Sequence, residues 1–81
     1  MEIMQVVSDL VCSKRVVGFN NASLRVLKDL KGKQLVATDP VGVSPGEWVF
    51  TASGSAARIA MKDMKMITDL TICGIIDDWY E

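Results

Sequence analysis

Apolar residues in this 81-residue chain do not keep to one face of the segments they occupy. Over residues 2–13 the two sides of an extended chain are Ile3, Gln5, Val7, Asp9, Val11 and Met4, Val6, Ser8, Leu10, Cys12. Both sides are largely apolar, the pattern of a strand covered on both faces. Residues 22–29 set Ala22, Leu24 and Val26 against Ser23, Arg25 and Leu27, and residues 34–39 set Leu35 and Ala37 against Val36 and Thr38. Lys31-Gly32-Lys33 between them predicts a short hairpin turn. Asp39-Pro40 ends the third strand, because proline has no N–H for a central ladder. Ser44-Pro45-Gly46 and Gly18-Phe19-Asn20-Asn21 carry turn chemistry. Residues 47–52 predict a fourth strand and residues 70–76 a fifth, again apolar on both sides. Ten Val, six Ile and four Thr reinforce the sheet reading.

One segment departs from the strand pattern. Ser53-Gly54-Ser55 followed by Ala56-Ala57-Arg58-Ile59-Ala60-Met61-Lys62 predicts an N-cap serine and a helix of about two turns over residues 56–62. Residues 63–66 read as a linker and residues 77–81 as an acidic and aromatic tail. Five strands, tight turns and one short helix predict a mainly β fold, a small OB-like β-barrel, as a single domain over residues 1–81.

Composition sharpens this picture. The chain is 49% hydrophobic at 8.9 kDa, and surface scaling leaves a folded monomer of that mass roughly 4,800 Å² of accessible surface. Strands apolar on both faces, in a barrel that has only one inside, imply that the surplus meets a partner. A net charge of −1 argues against phosphate-backbone binding. Apolar runs are too short for a membrane helix, and the opening M-E-I-M-Q-V-V has no basic n-region, so a cytosolic location is expected. Cys12 and Cys73 lack metal-site spacing and are expected to be small buried or half-buried hydrophobes.

Candidate chemistry is sparse. The chain has no histidine, the commonest group for acid–base work near neutral pH. Asp77 and Asp78 are adjacent and point apart on an extended chain. Asp39 suits a turn starter or strand-end cap better than a general base. Ser55 after Gly54 lacks both the G-x-S-x-G spacing and a histidine to activate it, and the phosphate-loop pattern is absent. Trp48, Phe50, Trp79 and Tyr80 could stack bases on an OB-like barrel, but Glu47, Asp77, Asp78 and Glu81 flank them, which favours core packing or a subunit interface.

Three segments together are similar to one family. A-T-D-P-V-G-V-S-P-G-E-W-V at residues 37–49, G-S-A-A-R at residues 54–58 and D-L-T-I-C-G-I-I-D at residues 69–77 resemble the EutN/CcmL family of bacterial microcompartment vertex proteins. The opening M-E-I-M-Q-V and the D-L-T-I-x-G-I-I-D-x-W ending look most like its α-carboxysome branch. W-V-F with T-A-S-G-S-A-A-R is similar to the second of that branch's two paralogues. The likeness runs over essentially the whole chain.

The resemblance implies a five-stranded barrel in a cyclic homopentamer at the five-fold corners of a polyhedral shell. Such a ring uses heterologous contacts between unlike patches, which would absorb the apolar surplus. Implied partners are hexameric carboxysome shell proteins, with no nucleic acid, membrane or cofactor. The implied role is structural rather than enzymatic: closing the shell around the carbon-fixing enzymes, in the bacterial cytoplasm, and limiting leakage of carbon dioxide. Ser53, Gly54, Ser55 and Ala56 match the segment expected at the five-fold opening, where small residues permit close approach and five helix starts make it slightly positive. Arg58 matches the family arginine and suits a carboxylate or carbonyls on the next chain. Trp48, Ile72 and Ile75 join it as expected interface residues, while Asp39, Gly42 and Gly46, with Trp48, match the fold-keeping loop pattern. The chain lacks the longer early loop and extended C-terminal segment of longer members. Two other readings stay open: an OB-like module for single-stranded nucleic acid, and an enzyme working through Ser55 or Asp39.

Overall fold

In the computed structural model, which describes residues 1–79, the order is β1 Glu2–Leu10, β2 Leu24–Asp29, β3 Gln34–Thr38, β4 Trp48–Ser53, α1 Ser55–Ala60 and β5 Leu70–Ile75. The strands close into a barrel in the order β1-β2-β3-β5-β4, with β4 returning to β1. Every pairing is antiparallel except that of β3 with β5. The mainly β barrel with one short helix matches the expectation from the turns and the resemblance. Tyr80 and Glu81, part of the expected tail, lie outside the described residues.

The interior is filled by Met4 and Val6 of β1, Leu27 of β2, Ala37 of β3, Val49 of β4, and Leu70 and Ile72 of β5, with Val43 entering from the loop after β3. Two strands reach both faces through bulges, each an extra residue that flips the alternation. On β1 the register steps over Val7, so Val6 faces Leu27 inside while Ser8 faces Val26 outside. On β5 it steps over Cys73, so Ile72 faces Thr51 inside while Gly74 faces Phe50 outside. Between β2 and β3, Asp29 Oδ1 accepts the N–H groups of Lys31 and Lys33, both at 2.9 Å. Gly32 supplies the φ of 88° that the turn needs.

Several boundaries differ from the sequence expectation. β1 stops at Leu10, opposite Leu24, and the chain then leaves the sheet for the loop to β2. Cys12 is therefore exposed, not buried, whereas Cys73 is half-buried as expected. The helix starts one residue earlier and ends two earlier than expected. Its N-cap is Gly54, at φ 62° and with no side-chain cap, rather than a serine. The chain turns there through a left-handed backbone open to glycine, and the Gly54 N–H donates to the Asp69 carbonyl at 2.9 Å, tying the helix start to β5. The helix ends because Lys62 adopts φ 59° while its N–H and that of Asp63 bond back to Ile59 and Arg58 carbonyls.

The seam between β3 and β5 has a single ladder pair, Thr38 with Thr71. A cluster of buried hydroxyls closes it. Thr38 Oγ1 lies 2.8 Å from Thr71 Oγ1 and 3.1 Å from Thr68 Oγ1. Thr68 also donates to the Leu70 carbonyl at 3.0 Å, and Thr71 donates to the Ala57 carbonyl of α1 at 2.8 Å. Replacing Thr71 with valine keeps the shape but removes a partner of Thr38 and one of the two donors to the Ala57 carbonyl, which keeps only the Met61 N–H, at a cost of about 1–3 kcal/mol. We expect a matching loss in urea unfolding of T71V, with faster amide exchange at Met61, whose N–H bonds to Ala57.

Candidate functional site

Ser53, Gly54, Ser55 and Ala56 form one exposed turn between the end of β4 and the first residues of α1. The structure thus places the four expected axis residues together. None carries bulk, and a Cβ built on Gly54 meets nothing within 4 Å, so it is the backbone angle that selects glycine there.

Arg58 sits on α1 two residues beyond Ala56. Its Nε is sealed from solvent and has no hydrogen-bond partner among the described residues. A buried donor without an acceptor is costly, while the half-buried side chain has other guanidinium N–H donors besides Nε. Trp48 is half-buried and lies against Trp79, ring centroids 5.5 Å apart and planes tilted by 58°. Ile75 ends β5 opposite Val49 and remains 39% exposed. Ile72 is different. It is 0% exposed inside the barrel, on the inner face with Leu70 two residues before it, so the expectation of an interface role for Ile72 is corrected.

The outer wall beside these residues is apolar. Ile3, Phe50 and Gly74 stand in register across β1, β4 and β5, and the Phe50 ring lies over Gly74 where any side chain would collide with it. A sequence reading that gave Gly74 no role misses this, since glycine in a strand gains meaning only from the ring across from it.

Asp39 lies between β3 and the following loop and is buried. Its Oδ1 accepts the N–H groups of Val41 and Gly42 at 2.9 and 2.8 Å, and its Oδ2 accepts that of Val43 at 2.9 Å. Arg25 Nε is 3.2 Å from Asp39 Oδ2 and 3.2 Å from Asp9 Oδ1. All acceptor capacity facing the loop is engaged in structure, which is the strand-end cap expected of Asp39 and leaves it no role as a base. Arg25 was not singled out by sequence, for its partners lie on other strands. Among the described residues no group of three or more His, Cys, Asp or Glu is placed to hold a metal. Among the described residues, Trp48 and Trp79 pack on each other, with Glu47, Asp77 and Asp78 close in sequence.

Residues 1–77 match the family model described as ethanolamine utilisation protein EutN/carboxysome. The chain belongs to the EutN/CcmL family. It is 57% identical over 79 residues to the carboxysome shell vertex protein CsoS4B of Halothiobacillus neapolitanus, covering 98% of each chain. With CsoS4A of the same organism it shares 41% over 80 residues, covering 98% of this chain and 96% of the relative. The solved structure of that CsoS4B superposes at a TM-score of 0.89, covering 96% of this chain and all of that one. The GrpN pentameric microcompartment shell protein of Rhodospirillum rubrum superposes at 0.86 with 26% identity, covering 100% and 99%. Greater identity to CsoS4B than to CsoS4A agrees with the W-V-F and T-A-S-G-S-A-A-R features.

Loss of the Asp39 hub should be felt in stability. Asp39→Ala leaves three loop N–H groups without their acceptor and Arg25 with Asp9 alone, and we expect about 3–5 kcal/mol lost in chemical denaturation. Asp39→Asn, which keeps an acceptor oxygen, is expected to lose less.

Proposed function

We propose that five copies of this chain form a ring that caps the five-fold vertices of a carboxysome shell in the bacterial cytoplasm. The observation that carries this reading is the 57% identity to a carboxysome shell vertex protein over 98% of both chains, joined to the matching barrel. The role is geometric. Hexagonal tiles alone extend as a flat sheet, and pentagonal units let the sheet close. The ring acts as a structural closure, not an enzyme, around the carbon-fixing enzymes and helps to limit leakage of carbon dioxide. Its neighbours in the shell are hexameric shell proteins, and one vertex-type domain makes up residues 1–81.

Within the ring, Ser53, Gly54, Ser55 and Ala56 border the five-fold axis, where small residues let five backbones converge. Arg58, Trp48 and Ile75 meet the adjacent subunit. The half-buried side chain of Arg58 supports this, because its guanidinium donors other than Nε suit a carbonyl or carboxylate from the next chain. Exposed apolar residues support it too: Val36, Phe50, Ile59 and Ile75 are all more than a third exposed on the single chain.

Native mass spectrometry at micromolar concentration tests the reading, with a pentamer expected; a monomer or hexamer would sink it. Arg58→Ala is expected to weaken each subunit contact by about 1–3 kcal/mol, read as an upward shift in the concentration at which the pentamer dissociates. Unfolding of the isolated chain should change by less than about 1 kcal/mol. Ser55→Trp is expected to distort or block ring closure; an undisturbed pentamer would move the axis elsewhere.

A further inference from the structure

Past the Thr38–Thr71 pair, β3 and β5 diverge, and the barrel wall has a gap. A cleft of about 450 Å³ opens there, its lining combining Met4, Leu35, Val36 and Leu70 with the polar Gln34, Thr51 and Ser53 and the acidic residues Glu2 and Asp69. Met4 and Leu70 are core residues, so the cleft reaches the apolar interior, and Val36 beside it is 47% exposed. Neither Glu2 nor Asp69 is in an ion pair among the described residues. Following the Ser53–Ala56 turn along the chain, α1 presents Ile59 at 62% exposure, with Arg58 and Lys62 beside it in sequence.

We infer that this cleft is the socket for α1 of the neighbouring copy, with Ile59 seated against Leu35 and Val36 and the Arg58 and Lys62 cations facing Glu2 and Asp69. The inference rests on the ring reading above. In a cyclic ring each subunit offers two different faces to its two neighbours, and the faces converge toward the axis. The residues at the axis must therefore lie between them. Ser53 lines the cleft and Ser55 begins the helix, so along the chain the small-residue turn separates the socket from the apolar projection. Shape and charge agree: a cleft with an apolar floor and two acidic residues in its lining meets an apolar side chain flanked by bases.

Paired cysteines test this in a background with both native thiols replaced, C12S and C73A. Val36→Cys and Ile59→Cys combined in one chain are expected to oxidise between subunits into a covalent ladder ending at five chains on a non-reducing gel, while either cysteine alone gives no ladder beyond two. Wild-type protein is weighed alongside by native mass spectrometry. A pentameric wild type and a pentameric double variant without a ladder would overturn the socket while leaving the ring intact; a monomeric wild type would remove the ring itself. Ile59→Glu gives a second readout, since an exposed side chain is changed and the barrel keeps its fold. We expect the pentamer to dissociate at a concentration higher by about tenfold or more, and an unchanged dissociation concentration would overturn the assignment.

Discussion

Four of the five joints in this barrel are antiparallel ladders of several residues, and the fifth is one residue pair backed by three buried threonine hydroxyls. Each such hydrogen bond is worth only about 0.5–1.5 kcal/mol net, but orphaning one inside the protein costs more than forming it gains. The cluster therefore behaves as a unit: Thr38 and Thr71 hold the seam, Thr68 positions the turn into β5, and Thr71 reaches the Ala57 carbonyl of α1. The helix is consequently anchored to the closure of the barrel. Together with the Gly54 to Asp69 bond, this fixes where the exposed turn at Ser53–Ala56 stands relative to the sheet.

A second centre, Asp39, organises the opposite side of the same strand end. It gathers three backbone N–H groups and Arg25, and so defines the loop that carries Val43 into the core. Burial of that carboxylate is affordable only because every oxygen facing the interior has a partner. Thr38 and Asp39 are consecutive, so two adjacent residues hold the seam and the loop at once. That leaves Gln34 to Ala37 as the part of β3 without a neighbour toward β5 among the described residues, and the gap in the wall follows from it.

What the sequence made legible follows from how local each signal is. The hairpin at Lys31-Gly32-Lys33 and the cap at Asp39 were readable, since their partners lie within four residues along the chain. Strand number and barrel class were readable from β-branched content and turns. The face of Ile72 is not legible, because residues 70–76 are apolar on both sides and nothing local says which side faces the core; the inward position it shares with Leu70 is set by its strand neighbours. The serine N-cap failed for a related reason: Gly54 takes a left-handed backbone and serves as the cap itself. The threonines were counted only for strand propensity, because their shared hydroxyl cluster joins residues 30 and 33 positions apart. The four axis residues were placed together because they are consecutive; the family resemblance, not any pattern of polarity, singled them out.

These constraints bear on how a ring of such chains could set a defined angle. A vertex cap must hold neighbouring subunits at one inclination, so the elements that touch must be rigid relative to each barrel. An isolated six-residue helix is too short to persist in water on its own. Here α1 does not stand alone: one carbonyl is held by Thr71, its cap by Asp69, and its end is closed by the left-handed Lys62. The inclination of the helix is thus inherited from the seam. If neighbours meet through α1, the orientation of that contact depends on the same hydroxyl cluster that closes the barrel.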